Sequence, residues 1–306
     1  MSNISKRMNL FIILCGLLVL PFQASRAADF SEGTASANAY FSNKALYTNL
    51  DFMMPLFESP NNAAFFINPG GGFNLRLKDN SRHTERLYFG IGQRLFLPGS
   101  QFSGGPAGAL LGKGLIFGFN WFIDWQYSMY NHFMADTGGG LEVLSDLVDL
   151  RLNTYFKLTD AKKLDHGPSP GGLYGTALYA DSGGIYETLL NGVDGEVGFR
   201  LPIVDQIGEI RVFGGGFYHD AREVRRVRGF KGRIQWNPLP SIHIGAALFS
   251  SRHLNGEKWQ LQFGFKLPFS ANAFLAGGSP FSVDNTPKTG NLWKDRFTTP
   301  IPRYGM

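Results

Sequence analysis

One cysteine stands in 306 residues, at position 15, inside an N-terminal segment that carries the marks of an export signal. Lys6 and Arg7 give a basic start and residues 8–20 an apolar run. Ser25-Arg26-Ala27 offers small residues at the two positions a signal peptidase reads, which predicts cleavage after Ala27. Leu14 is too large for a lipoprotein cleavage site, so Cys15 is not read as lipid-modified. With no cysteine after the leader, a disulfide scaffold and a cysteine-based zinc site are excluded. Net charge is also scarce. Losing Lys6, Arg7 and Arg26 leaves 26 basic against 24 acidic side chains, so the basic pI of about 9.2 owes much to the leader. A nucleic-acid partner loses its main support.

Long apolar runs are missing too. The leader's own run is too short to cross roughly 30 Å of hydrocarbon, and no later stretch reaches 18 uninterrupted apolar residues. Helical membrane spans are therefore excluded. A mean hydropathy of −0.10 does not exclude a transmembrane barrel, because lumen-facing polar residues cancel lipid-facing apolar ones.

What is plentiful is phenylalanine, at 28, and glycine, at 39. In 258–269, Trp259, Leu261, Phe263, Phe265, Leu267 and Phe269 fall on one face of a strand, and Gln260, Gln262, Gly264 and Lys266 on the other. The alternation recurs in 115–126, 147–158, 193–201 and 230–236. Weaker strands are predicted at 44–56, 62–76, 84–97, 131–142, 171–190, 208–219 and 241–250. Turn-rich stretches separate them at 58–62, 98–108, 162–172 and 255–256. These observations predict an all-β fold: a transmembrane antiparallel up-and-down β-barrel of about 12 strands, an even number as closure of such barrels requires.

The predicted domains are a signal peptide at 1–27, a short periplasmic segment at 28–43, the barrel at 44–269 and an extended tail at 270–306. Strand 258–269 is expected to close against 44–56. The tail is rich in Pro, Gly, Asn and Ser, and about ten extended residues span a membrane-height lumen, so it is long enough to thread the pore.

Parity assigns Asp51, Arg94, Asn120, Asp124, Asp149, Arg151, Asn153, Glu196, Arg200, Lys231 and Arg233 to the lumen. It assigns Phe117, Phe119, Trp121, Phe230, Trp236, Trp259, Phe263 and Phe265 to the lipid face. Mixed signs in the lumen predict a salt-bridged, partly filled interior rather than an ion-selective ring. No cofactor or metal is expected, because His83, His132, His166, His219, His243 and His253 show no ligand spacing.

Catalytic motifs fail one by one. Asp181-Ser182-Gly183-Gly184 imitates the nucleophile loop of trypsin-like proteases, but Ala180 replaces its first glycine and no matching histidine context exists. His219-Asp220 suggests a protease dyad, yet adjacent strand residues point to opposite faces. The triple glycines at 70–72, 138–140 and 214–216 read as strand bends rather than a phosphate cradle. Residues 108–114 lack P-loop spacing.

Particular residues carry a resemblance. Gly118-Phe119-Asn120-Trp121-Phe122-Ile123-Asp124 resembles the G-x-N-x-F-x-D strand of inverse autotransporter β-domains, the barrels of intimin and invasin. Gly140-Leu141-Glu142 is similar to that family's G-x-E strand, and Arg151-Leu152-Asn153-Thr154-Tyr155 to its R-x-N-x-Y strand. Gly192-Val193-Asp194-Gly195-Glu196 is similar to its G-x-D-x-E segment, and Gly90-Ile91-Gly92-Gln93-Arg94 to its G-x-G-x-R strand. Arg296 and Pro300-Ile301-Pro302-Arg303 resemble its post-barrel linker.

The resemblance covers roughly residues 45–303. It implies a 12-stranded outer-membrane anchor that holds a linker in its pore and exposes a passenger, often immunoglobulin-like adhesion domains. The sequence reaches Met306, where a passenger would begin, so the expectation is a barrel without a passenger. The readings carried forward are surface display, a stand-alone porin-like or structural barrel, and, third, an outer-membrane hydrolase. The expected partners are outer-membrane lipid and, through the class, periplasmic chaperones and the barrel assembly machinery. Which passenger is displayed, in this chain or a separate one, is not written in the sequence.

Overall fold

Alternating apolar and polar side chains satisfy a strand only if one face meets grease and the other something polar, and a closed sheet supplies both without leaving an edge. The computed structural model describes residues 33–42, 45–59, 63–76, 83–97, 105, 114–128, 130–164, 176–181, 184–202, 207–221, 224–239, 241–251 and 259–269. Its strands are β1 Gly33–Ser42, β2 Ala45–Ser59, β3 Ala63–Arg76, β4 His83–Leu97, β5 Leu115–Tyr127, β6 Phe133–Ser145, β7 Val148–Lys157, β8 Lys162–Leu164, β9 Thr176–Asp181, β10 Gly184–Leu189, β11 Asn191–Arg200, β12 Glu209–Ala221, β13 Val224–Leu239, β14 Ile242–Ser251 and β15 Trp259–Phe269.

Twelve of them form a closed antiparallel barrel in the order β1-β15-β14-β13-β12-β11-β7-β6-β5-β4-β3-β2. No helix among the described residues is long and apolar enough to cross a membrane.

The strand count agrees with the sequence reading only because two differences offset each other. Residues 33–42 are not a periplasmic segment but the first barrel stave. β15 closes against them, Gly33 opposite Phe269 and Ser42 opposite Gln260, and not against 44–56. The strand eluded the pattern because its outward side chains are Ala35, Ala37, Ala39 and Phe41, and alanine contrasts weakly with the inward Thr34, Ser36, Asn38 and Tyr40. Ser42 Oγ, bonded to the backbone of Ala45 in both directions at 3.0 and 3.2 Å, ties the tight turn into β2.

Of the strand predicted at 171–190, the described residues 176–181 and 184–189 are, in turn, not part of the barrel. β9 and β10 form a hairpin which, with β8, makes a separate three-stranded sheet in the order β8-β10-β9. Gly184 opens β10 at φ +134°, a conformation that a straight stave would not adopt and that L side chains rarely reach. β10 packs on β6 and β9 on β13, so this sheet stretches over the strands between them at one end of the barrel.

Because the number of staves is even, β1 starts and β15 finishes at the same end. The excursion between β7 and β11, which carries the small sheet, lies at the other end. The described structure begins at Gly33 and finishes at Phe269, so the signal segment 1–27 and the tail 270–306 lie outside the described residues.

Candidate functional site

The lumen is a built interior with two kinds of wall. On β2 to β5 it is apolar: Met53, Phe66, Tyr88 and Phe122 pack together, with Phe122 only 1% exposed. Inward aromatic side chains thus fill this sector of the lumen. Gly90, inward on β4, leaves the space in which the Phe122 ring lies, and a Cβ there would collide with the ring.

One ion pair closes over this cluster. Arg94 Nε on β4 donates to Glu142 Oε1 on β6 at 2.6 Å. The strand between them is β5, and its residue in that cross-strand row is Gly118. The Glu142 carboxyl occupies the space a Gly118 side chain would need, so the glycine lets two charges meet across an intervening stave. The Arg94 guanidinium also lies 5.4 Å from the Phe66 ring centroid. Towards the far end Arg86 pairs with Asp124 at 2.8 Å. Asp51 accepts from Asn49 at 2.7 Å.

The opposite sector, on β7, β11, β12 and β13, is a charge network. Glu196 Oε1 accepts from Arg151 at 3.1 Å and from Arg233 at 2.8 Å, while Lys231 lies 3.7 Å from its second oxygen. Asp194 accepts from Lys231 at 2.6 Å, from the Tyr155 hydroxyl at 2.6 Å and from Asn153 at 3.4 Å. Asp149 sits between Arg151 at 3.7 Å and Arg211 at 3.3 Å. Arg200 pairs with Asp146, and Arg211 with Glu209. Phe213, inward on β12, carries the Arg233 guanidinium 3.5 Å from its ring centroid and that of Arg151 at 5.6 Å. Asp146, Asp149, Asp194, Glu196 and Glu209 thus balance Arg151, Arg200, Arg211, Lys231 and Arg233. Such a wall neutralises itself and exerts little net pull on a passing ion.

The structure therefore brings Arg151, Glu196, Lys231 and Arg233 together, with Asn153 and Asp149 alongside. It sets Arg94, Asp124, Asp51 and the buried Asn120 apart from them. Phe117, Phe119, Trp121, Phe230, Trp259, Phe263 and Phe265 stand exposed on the outer surface. Trp236 is half-buried, its indole N–H donating to the Ile207 carbonyl at 2.8 Å.

The lumen residues assigned from the sequence left out Arg86, Glu142, Asp194, Arg211 and Asp146, although Glu142 and Asp194 stand in the motifs that carry the family resemblance. For the first three, strand parity was a sufficient signal. Arg211 was hidden because Phe213 and Phe217 share its inward face and blur the β12 alternation.

Another cluster was not legible at all. Glu187 on β10, fully buried, accepts from Ser128 Oγ at 2.6 Å and lies 3.1 Å from His132 Nδ1. Ser128 Oγ in turn accepts from the backbone of Tyr130 and His132. In a hydrolytic triad the imidazole stands between hydroxyl and carboxylate. Here the serine hydroxyl donates to the carboxylate directly, so the imidazole does not stand where a triad needs it. The cluster fastens the small sheet to the β5–β6 turn. Among the described residues no group of three or more His, Cys, Asp or Glu is placed to hold a metal.

An edge-free antiparallel barrel with an apolar outer band is the architecture of an outer-membrane protein, and that compartment fixes its surroundings as outer-membrane lipid. Residues 109–280 match the family described as the inverse autotransporter β-domain, and the chain belongs to that family.

Among solved structures, a membrane protein from work on the mechanism behind in-meso crystallization superposes with a TM-score of 0.58 at 17% identity, over 90% of this chain and 98% of the other. The β domain of the Bordetella autotransporter BrkA gives 0.43 at 11%, over 78% and 100%. The KdgM porin gives 0.36 at 5%, over 76% and 97%. A search of curated proteins found no match.

Proposed function

We propose that this barrel is a membrane anchor and export conduit whose residues 270–306 pass through the lumen toward the cell surface. The supporting observation is the asymmetry of the interior. The ion pairs of β7, β11, β12 and β13 engage one another, whereas β15, β1 and β2 face inward mainly with the neutral Gln260, Gln262, Thr34, Ser36, Asn38, Tyr40 and Asn49, beside the charged Lys266 and Asp51. Neutral amides and hydroxyls suit an extended backbone, which needs donors and acceptors but no charge partner. β15 belongs to this wall and finishes at Phe269, so on this reading the tail turns into the lumen along it.

On this reading the lumen charges hold the opposite wall rigid and the outward aromatic side chains seat the barrel in lipid. The barrel carries no catalytic activity of its own, and chaperones with the assembly machinery deliver it. Adhesion would belong to whatever the conduit displays. A porin-like role is the competing reading, and the two part company in planar bilayers. Deleting residues 270–306 is expected to raise single-channel conductance several-fold. Equal conductance with and without the tail would favour a plain channel.

A further inference from the structure

We infer that the outer wall at β12–β13 holds a phosphate-bearing glycolipid of the outer leaflet, its headgroup on Arg226 and Arg228 and its acyl chains on the wall below. Among the described residues these are the only arginines or lysines on the outer face of the barrel. They stand at the end opposite the meeting point of β1 and β15, the end that carries the long excursion between β7 and β11. Outer-membrane barrels turn their longest connections outward, and residues 158–190 between β7 and β11 form the longest one here, which sets these arginines at the outer leaflet. Around the same rim the other staves present Phe41, Tyr127, Phe133, Phe156 and Trp259, so positive charge is concentrated at one place.

The side chains fit a headgroup. Arg226 is 72% exposed and lies 3.5 Å from Asp220, whose carboxylate also accepts the Tyr218 hydroxyl at 3.3 Å. Asp220 thereby orients the guanidinium, and high exposure leaves most of its donors facing outward. Arg228 lies directly opposite Tyr218 in the β12–β13 register and Arg226 lies beside Asp220 two residues along, so the two arginines flank one Tyr218–Asp220 edge.

Below them the wall changes character. Phe230 is 76% exposed because its cross-strand neighbours, Gly216 and Ser250, rise too little to cover it. Gly232 faces Gly214 on one side and Leu248, 67% exposed, on the other. A Cβ at Gly214 or Gly232 would meet nothing within 4 Å. The result is a shallow apolar depression walled by Phe230 and Leu248, continuous with the arginines above. Charge above and a depression below match a lipid with a phosphorylated head and acyl chains rather than a free anion.

The test uses the full chain in detergent, with diphosphoryl lipid A as probe and native mass spectrometry as readout. The wild type is expected to retain the lipid. Arg226→Gln with Arg228→Gln should bind it roughly thirty-fold more weakly, from about 1 kcal/mol per arginine. Gly232→Leu, which fills the depression with both arginines intact, should also weaken it, and excess inorganic phosphate should not displace it. A shift between boiled and unboiled migration checks that each variant is folded. Equal retention by wild type and the double variant would overturn the site. Displacement by inorganic phosphate would reduce it to an anion patch and equally overturn it.

Discussion

Replacing Glu196 with alanine is expected to destabilise the barrel by about 3–5 kcal/mol, because it leaves buried positive charge without its counter-charge. Glu196 is 5% exposed and serves Arg151, Arg233 and Lys231 together. Asp194 and Asp149 already engage Lys231, Arg211 and Arg151 and cannot take over Arg233 as well. Glu196→Gln keeps the shape and one acceptor oxygen, so its loss should be smaller than that of the alanine variant. Removing Arg233 as well relieves one orphaned charge, so the double variant should lose less than the sum of the singles. Urea unfolding in lipid vesicles, followed by tryptophan fluorescence, measures all of these. A loss below about 1 kcal/mol for Glu196→Ala would mean that water enters the network freely and that the wall is not rigid.

Gly90→Val tests the other wall. The side chain would have to share space with the Phe122 ring, which is 1% exposed and confined by Met53, Phe66 and Tyr88. Overpacking of this kind costs about 1–3 kcal/mol. The cause can be isolated, since adding Phe122→Leu to the valine variant should recover part of the loss. On the outer wall, Gly232→Ala meets open space and should change stability by no more than about 0.5 kcal/mol. If the two glycine positions responded alike, the packing account of the β2–β5 sector would be wrong.

Both predictions turn on features that the sequence disclosed unevenly. Alternation located the staves at 115–126, 147–158, 193–201 and 258–269, because bulky aromatic and aliphatic side chains on one face stand out against polar ones. It failed at 33–42, where alanine replaces the bulky face. It failed again at 171–190, where alternation marked β structure but could not say which sheet the strands join. Among the site residues, the inward direction of Arg94 followed from its parity. Its partner did not, because the pair forms across an intervening stave at Gly118, and register between non-adjacent strands is a tertiary property. The inward aromatic side chains Phe66, Phe122 and Phe213 also ran against the expected pattern, since a ring over a glycine or beneath a guanidinium is as well satisfied as one in lipid.

The central claim concerns the tail, and the scarcity of cysteine makes it directly measurable. With Cys15 changed to serine, Ala273→Cys and Thr298→Cys each provide a single thiol on residues 270–306. Intact cells are exposed to a membrane-impermeant maleimide, and labelling is compared with cells whose outer membrane has been opened. A tail that threads the barrel predicts full labelling at position 298 on intact cells and protection at position 273 within the lumen. Labelling of position 298 only after the outer membrane is opened would contradict the conduit and leave a channel whose tail stays in the periplasm.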